Sequence, residues 1–397
     1  MLKTPDSVAG EELRERLSAF DDDAFTGERR SLALERFFTT PSGRQRPGPY
    51  WKIDIETLSP SPPSIAKASG SVLIDNSNAR LIACDLATAA REHPALLGRA
   101  LGATRVQATK FGALATAFQN AGVFVYVPAD AATDEPVVIT YNAPDGASLF
   151  PYTIVLAERG ARATVVERLE GGAEAFVCGA TEIVTGEGAE ITYAGCQQLA
   201  ASARVVQTRA ALPGRDASVA WACAELGAGL TITDLSVAIE RPGAEARITA
   251  LFFPKGSQHV DVVSTVDHVV GESTSQTIVK SAAVDDGQAR YLGNIRIAPR
   301  AQGSDASLRD DALLLSARAH IDSVPALEIG ANDVKAFHGA TVGALDADQI
   351  FYMETRGIER NAAERMIALG FFEPAIAHFP TDALRAVIRT ALAAKFS

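Results

Sequence analysis

The chain has 397 residues, 47% of them hydrophobic, and its 37 basic against 48 acidic side chains leave a formal net charge of −11. That apolar content supports a substantial core and excludes a disordered chain. The acidic balance argues against a nucleic-acid binder, which needs a positive footprint to displace counterions from phosphates.

The chain opens on "MLKTPDSVAGEELRERL", which lacks the apolar h-region of a signal peptide. No stretch reaches the roughly 18 uncharged apolar residues of a membrane span. With only four, widely spaced cysteines, a soluble protein of the reducing cytoplasm is expected. "SVAGEELRERLSAF" and "ERRSLALERFF" repeat apolar residues at helical spacing, so residues 1–66 read as an N-terminal helical region. A loop carrying Trp51 and Lys52 follows, with the Trp expected to pack the helical arm onto the main body. "SPSPPS" at 59–64 marks a boundary.

From about residue 70 the texture changes to short runs such as "GSVLIDN", "AGVFVYVP", "PVVITYNA" and "ARYLGNIRIAP". They are rich in Val, Ile and Thr and broken by Gly, Asp or Pro, as strands are. "NARLIACDLATAAREHPALLGRALG" and "RVQATKFGALATAFQNAG" interrupt them with helical periodicity. Small turns open strands at Gly160, Gly188, Asp216, Gly243 and Gly271, at intervals of 28, 28, 27 and 28 residues. A repeat of that length marks a stacked solenoid, and strands within each repeat make it a β-solenoid. Residues 67–344 are therefore expected to form the β-helix core, with early helical insertions.

Residues 345–397 read as a C-terminal helical region of three helices. "DADQIFYMETRG" starts on capping Asp residues and stops at Gly357; "IERNAAERMIALG" stops at Gly370; "TDALRAVIRTALAAKF" starts from Thr381. Their apolar runs, "IFYM" and "MIALGFF", require burial against the solenoid or a partner.

Motifs for chemistry are sparse. There is no GxxxxGK[ST] phosphate loop, GxSxG elbow, HExxH helix or GxGxxG after a strand. "GATVGA" at 339–344 reads as a tight turn with close backbone packing. In "QHVDVVSTVDHVV", His259 and Asp261 share a strand face and carry chemistry suited to a divalent metal or an oriented base. A polar ladder on the solvent face, with Asp261 fixing the imidazole, is the plainer reading; Asp267 and His268 follow in the same run. Cys84, Cys178, Cys196 and Cys223 form no CxxC pair. Cys196 and Cys223 lie 27 residues apart, about one repeat, so they are candidates to stack on neighbouring coils and take a soft metal or sulfur. Burial as ordinary core thiols is the alternative. His320 and His378 have no suggestive neighbours.

"VPALEIGANDVKAFHGATVGALDADQIFYMETRGI" resembles the SufB/SufD family of the Suf iron–sulfur cluster assembly machinery, in its SufD branch. The resemblance extends upstream through "QHVDVVSTVDHVVGESTSQTIVKSAAVDDGQARYLGNIRI" and downstream through "ERMIALGFF", and is specific from about residue 250 onward. It implies a mainly β fold, a right-handed parallel β-helix flanked by N-terminal and C-terminal helical regions. It also implies a scaffold without turnover of its own, pairing as a heterodimer with SufB at the β-helix end. The SufC ATPase would bind the C-terminal helices, here through Ile350, Phe351, Tyr352, Arg356, Gly357 and Ile358.

In this resemblance His338, of the HGATVG motif, faces the SufB interface and helps bind iron or a nascent iron–sulfur cluster shared with SufB. Stable binding of a cofactor by the isolated chain is not implied, and whether the chain forms a homodimer in isolation is left open. Many SufD members carry Cys two residues before this His, where this chain has Ala336. The competing reading is a β-helical carbohydrate lyase or hydrolase. That activity needs acidic and basic residues clustered in one exposed groove, and no such cluster recurs here at the coil period.

Overall fold

The computed structural model describes residues 8–20, 24–41, 53, 58, 60, 65 and 70–396. Trp51, Lys52, most of the Ser–Pro stretch and the boundary expected at residue 66 lie outside the described residues. Helices α1 (Val8–Ser18) and α2 (Ala24–Thr39) come first. Then follow β1 (Ser71–Asp75), β2 (Ile82–Asp85), α3 (Leu86–Glu92), α4 (Pro94–Ala100), a 3-10 turn at Val106–Ala108 and α5 (Lys110–Phe118). The next strands are β3 (Ala121–Val127), β4 (Val137–Ala143), β5 (Ser148–Leu149), β6 (Pro151–Ala157), β7 (Arg162–Gly171), β8 (Phe176–Thr185), β9 (Glu190–Leu199), β10 (Arg204–Leu212) and β11 (Ser218–Glu225). After them come β12 (Leu230–Ile239), β13 (Glu245–Phe252), β14 (His259–His268), β15 (Thr274–Ala283), β16 (Gln288–Ile297), β17 (Ser304–Leu314), β18 (His320–Ile329) and β19 (Val334–Ala344). Helices α6 (Ala347–Thr355), α7 (Arg360–Ile376) and α8 (Asp382–Ala394) close the chain.

The strands form two sheets. One runs β1-β4-β7-β9-β11-β13-β15-β17-β19; the other runs β18-β16-β14-β12-β10-β8-β6-β3-β2, with β5 beside β8. Pairing is parallel throughout, except that β1 joins β4 and β2 joins β3 antiparallel. The chain alternates between the sheets, so each coil adds a strand to both. The protein is thus mainly β, a parallel β-solenoid with helices at both ends. Side chains alternate between the interior and the outer faces. Val205, Ile191, Val219 and Val237 fill the interior of the first coils, and Val262, Ala306 and Leu308 that of the last. Helix α5, buried along its whole length, lies on the outer face of the second sheet. Helices α7 and α8 cover the outer face of the first.

The repeat has a backbone cause. Asp130, Gly160, Gly188, Asp216, Gly243, Glu272 and Gly303 all hold positive φ, between 54° and 74°. Each donates its N–H to a carbonyl of the next turn, for example Gly160 to Glu187 and Gly188 to Arg215, both at 2.8 Å. The turn near residue 271 is shifted by one: Glu272 takes the left-handed conformation. Gly271 is needed for a different reason, since a Cβ there would stand 2.2 Å from the Gln302 carbonyl oxygen.

Three expectations are corrected. The stretch read as helical from residue 78 begins with strand β2 before α3 and α4; its β-branched Ile82 pairs onto β3. Helix α7 does not stop at Gly370 but continues through Pro374 to Ile376. Burial of Phe372, Ala375 and Ile376 against the sheet outweighs the roughly 1 kcal/mol helix penalty of one glycine. The HGATVG segment is no turn: it is the middle of β19.

The solenoid interior also holds charge. Arg209, 2% exposed, reaches Glu167 Oε1 at 3.2 Å and Cys223 Sγ at 2.9 Å, and it also bonds Gln207. Glu167 further accepts from Tyr193 at 2.6 Å and Thr153 at 3.1 Å. The guanidinium fits because position 195 has no side chain; a Cβ there would lie 2.8 Å from both terminal nitrogens. Arg209 is pinned and cannot swing aside. Gly195→Ala is therefore expected to lower unfolding free energy by about 1–3 kcal/mol, read from the midpoint of denaturant unfolding. An unchanged midpoint would show that the guanidinium is loosely held.

Candidate interface and metal site

The solenoid ends differently at its two termini. The sheets end on antiparallel β1 and β2 at the N-terminal side and on parallel β19 and β18 at the other, and each of these four strands has a sheet neighbour on one side only. An unpaired strand presents a row of free N–H and C=O groups to any incoming chain. Apolar side chains stand out there too: Phe337 is 60% exposed, Val342 and Ile329 43%. Small residues dominate the rest of β19, with Ala336, Gly339, Ala340 and Gly343 keeping its surface low.

Register places His338 within this mouth. On β17, Ala306 and Leu308 belong to the interior core, and they pair with Ala336 and His338 of β19. His338 therefore sits on the inward face of the last strand, directly above Leu308, with its ring exposed. Among the described residues no hydrogen bond or ion pair engages it. The next inward pair is Asp310 with Ala340. Across the mouth, the inward side chains of β18 include Ile321 and Ser323, in register with Ala289 and Tyr291. At position 336 the Ala methyl group packs toward the core.

Among the described residues no cluster of three or more His, Cys, Asp or Glu side chains stands ready to hold a metal ion. A metal at His338 would draw further ligands from another chain.

The other candidates separate. Cys196 and Cys223 lie on adjacent coils, but Cys196 pairs with Ala224 and Cys223 with Gly195. That one-residue offset turns them to opposite faces of the sheet: Cys223 packs in the interior and Cys196 under the C-terminal helices. They do not stack. Burial pushes the Cys223 thiol up to about 11 and Cys196 up to about 12, and it raises Cys178 further still. All three are protonated thiols at neutral pH, unsuited to nucleophilic attack. Cys84 is half-buried and its thiol is also raised by burial.

The solvent-face ladder expected in β14 is likewise absent. Asp261 is fully buried and clamped bidentately by Arg290, at 2.7 and 2.5 Å. Asp267 faces outward to Arg105 at 3.0 Å and Arg296 at 3.5 Å. His268 is buried, its Nδ1 2.8 Å from the Ser273 hydroxyl and its Nε2 2.8 Å from that of Ser275. His320 pairs with Asp322 at 3.0 Å, and His378 Nδ1 lies 2.9 Å from the Thr249 hydroxyl. Pairings that cross from coil to coil are invisible without the register, so only the two-residue spacings were open to the sequence.

On α6, Phe351 is 67% and Tyr352 59% exposed, with the Arg356 guanidinium 5.1 Å above the tyrosine ring. Gly357, at φ 81°, ends the helix, and Ile358 is half-buried. Ile350 is buried and anchors the helix, so its side chain is not offered to a partner. Met366 on α7 adds another exposed apolar group, 55% accessible.

Comparison with known proteins follows this geometry. Residues 139–371 match the family model described as SUF system FeS cluster assembly, SufBD core domain. The match runs from β4 into α7 and so contains the mouth and His338. The chain is 28% identical over 313 residues to the iron–sulfur cluster assembly protein SufD of Bacillus subtilis (strain 168), spanning 77% of this chain and 71% of that one. It is 25% identical over 277 residues to iron–sulfur cluster assembly SufBD family proteins of Staphylococcus saprophyticus and Staphylococcus epidermidis. Those alignments span 69% of this chain and 60% of each relative.

Burial holds the His268 imidazole down at about 4, from an ordinary value of 6.5. Proton uptake thus favours the unfolded chain: stability is whole above pH 6.5 and is lost as pH falls toward 4. Asp310, pushed up to about 6 by burial, works in the opposite sense over the same range. The contribution of His268 is therefore isolated by comparing the protein with a His268→Gln variant. Between pH 6.5 and 4 the native protein should lose on the order of 2–3 kcal/mol relative to that variant. Parallel stability curves would contradict a neutral buried imidazole.

Proposed function

The chain belongs to the SufBD family of iron–sulfur cluster assembly proteins, and on that footing we propose that it is a scaffold subunit without turnover of its own. A SufB-type partner docks on the mouth formed by β18 and β19. His338, pointing inward from the last strand, lends a neutral imidazole to iron delivered there as substrate, and the nascent cluster grows between the two chains. Imidazole is a suitable ligand for iron. The observation that carries this reading is the pairing of an open solenoid end with a single unengaged histidine on its inward face. With SufB missing, the same open edges would accept a second copy of the chain.

A SufC-type ATPase docks on the exposed face of α6 and the start of α7. Phe351, Tyr352 and Arg356 supply an aromatic and cationic patch of the composition favoured at binding hot spots. The working place is the reducing cytoplasm; among the described residues no helix is long and apolar enough to cross a membrane.

Co-purification with SufB and SufC partners tests the assignment, with a stable complex of all three chains expected. In that complex Phe351→Glu together with Tyr352→Glu should weaken SufC binding at least roughly tenfold, the effect of losing one or two hot spots. SufB pairing should remain. Unchanged ATPase affinity would remove α6 from that interface. Failure of folded partners to associate would overturn the scaffold reading.

A further inference from the structure

One carboxylate at the mouth lacks a counter-charge. Asp310, on the inward face of β17, is completely buried. Its Oδ2 accepts from the Ser323 hydroxyl on β18, but Oδ1 has no hydrogen-bond partner among the described residues. The nearby cations are engaged elsewhere: Lys280 and Arg309 both bond the neighbouring Asp311, at 2.7 and 3.0 Å. The Tyr291 hydroxyl is paired with Ser264 at 2.6 Å. A buried carboxylate without a cation is expensive, and proteins rarely retain one without use for it. Position suggests the use. The residue above Asp310 on β19 is Ala340, next on the inward face after His338. That residue of the last strand carries only a methyl group.

We propose that Asp310 is a second ligand from this chain to the ferrous ion: its free Oδ1 binds the divalent metal that His338 takes through an imidazole nitrogen, while Ser323 holds the other oxygen. The inference rests on the reading of His338 given above. A carboxylate oxygen beside an imidazole suits a divalent iron ion, and ligating carboxylates are themselves held by hydrogen bonds, as Ser323 holds this one. Two ligands make a weak site, which becomes strong when the partner closes the mouth and completes the shell. The same closure supplies the missing positive charge to Asp310.

Co(II), a spectroscopic substitute for Fe(II), is titrated into the purified complex of this chain with its SufB and SufC partners, alongside thermal melting of the metal-free complex. Asp310→Asn should weaken Co(II) binding at least roughly tenfold, as His338→Ala does, while the metal-free melting temperature stays level or rises. A structural carboxylate would behave in the reverse way, lowering the melting temperature and leaving the metal bound. Loss with His338→Ala but not with Asp310→Asn overturns the role of Asp310 and leaves His338 standing. No loss with either variant removes both. An Asp310→Asn chain that fails to fold also counts against the proposal, because it makes the carboxylate a structural requirement.

Discussion

Every coil of this protein is stabilised by the coil before it and the coil after it. The parallel hydrogen-bond ladder runs without a break from β4 to β19 on one sheet and from β3 to β18 on the other. A repeat in such a stack cannot bury its own face alone, so the ends are where structure becomes function. At the N-terminal end the sheets finish on antiparallel β1 and β2, and at the C-terminal end on parallel β18 and β19. His338 is exposed because it lies on the last strand; its register partner one coil earlier, Leu308, is sealed in the core.

Interior chemistry follows the same logic. In the middle of the stack the charged groups answer one another, with Arg209 against Glu167 and the Cys223 sulfur, and Gly195 making room. Such a buried pair contributes little net stability but is costly to break. It therefore fixes which coil sits on which. At the mouth, Asp310 retains an oxygen without a donor among the described residues.

Much of the architecture was legible because its causes are local. Left-handed turn positions recur about once per coil, and Gly160, Gly188, Asp216 and Gly243 announce them; Glu272 hides because Glu, unlike Gly or Asp, is not a residue that signals the left-handed conformation. Helices α6 and α8 carry their own N-caps, Asp346 and Thr381, but α7 has no side-chain cap and its length depends on packing against the sheet, which no local signal encodes. The pairing partners of the site were harder still. Asp310 with Ser323 and Asp261 with Arg290 join residues 13 and 29 positions apart, and the Cys196–Cys223 spacing misled because a single residue of offset reverses the face. His338 stands out by its motif, whereas the glycines beside it suggest a turn although they lie within strand β19.

The role proposed for the open mouth is to receive iron. The most direct measurement is iron and acid-labile sulfide in the purified complex of this chain with SufB and SufC partners, native against His338→Ala. The account predicts that the variant folds and assembles normally yet carries several-fold less of both, consistent with the roughly 10–100-fold loss that follows removal of a metal-site residue. Equal iron and sulfide in the two complexes would contradict it.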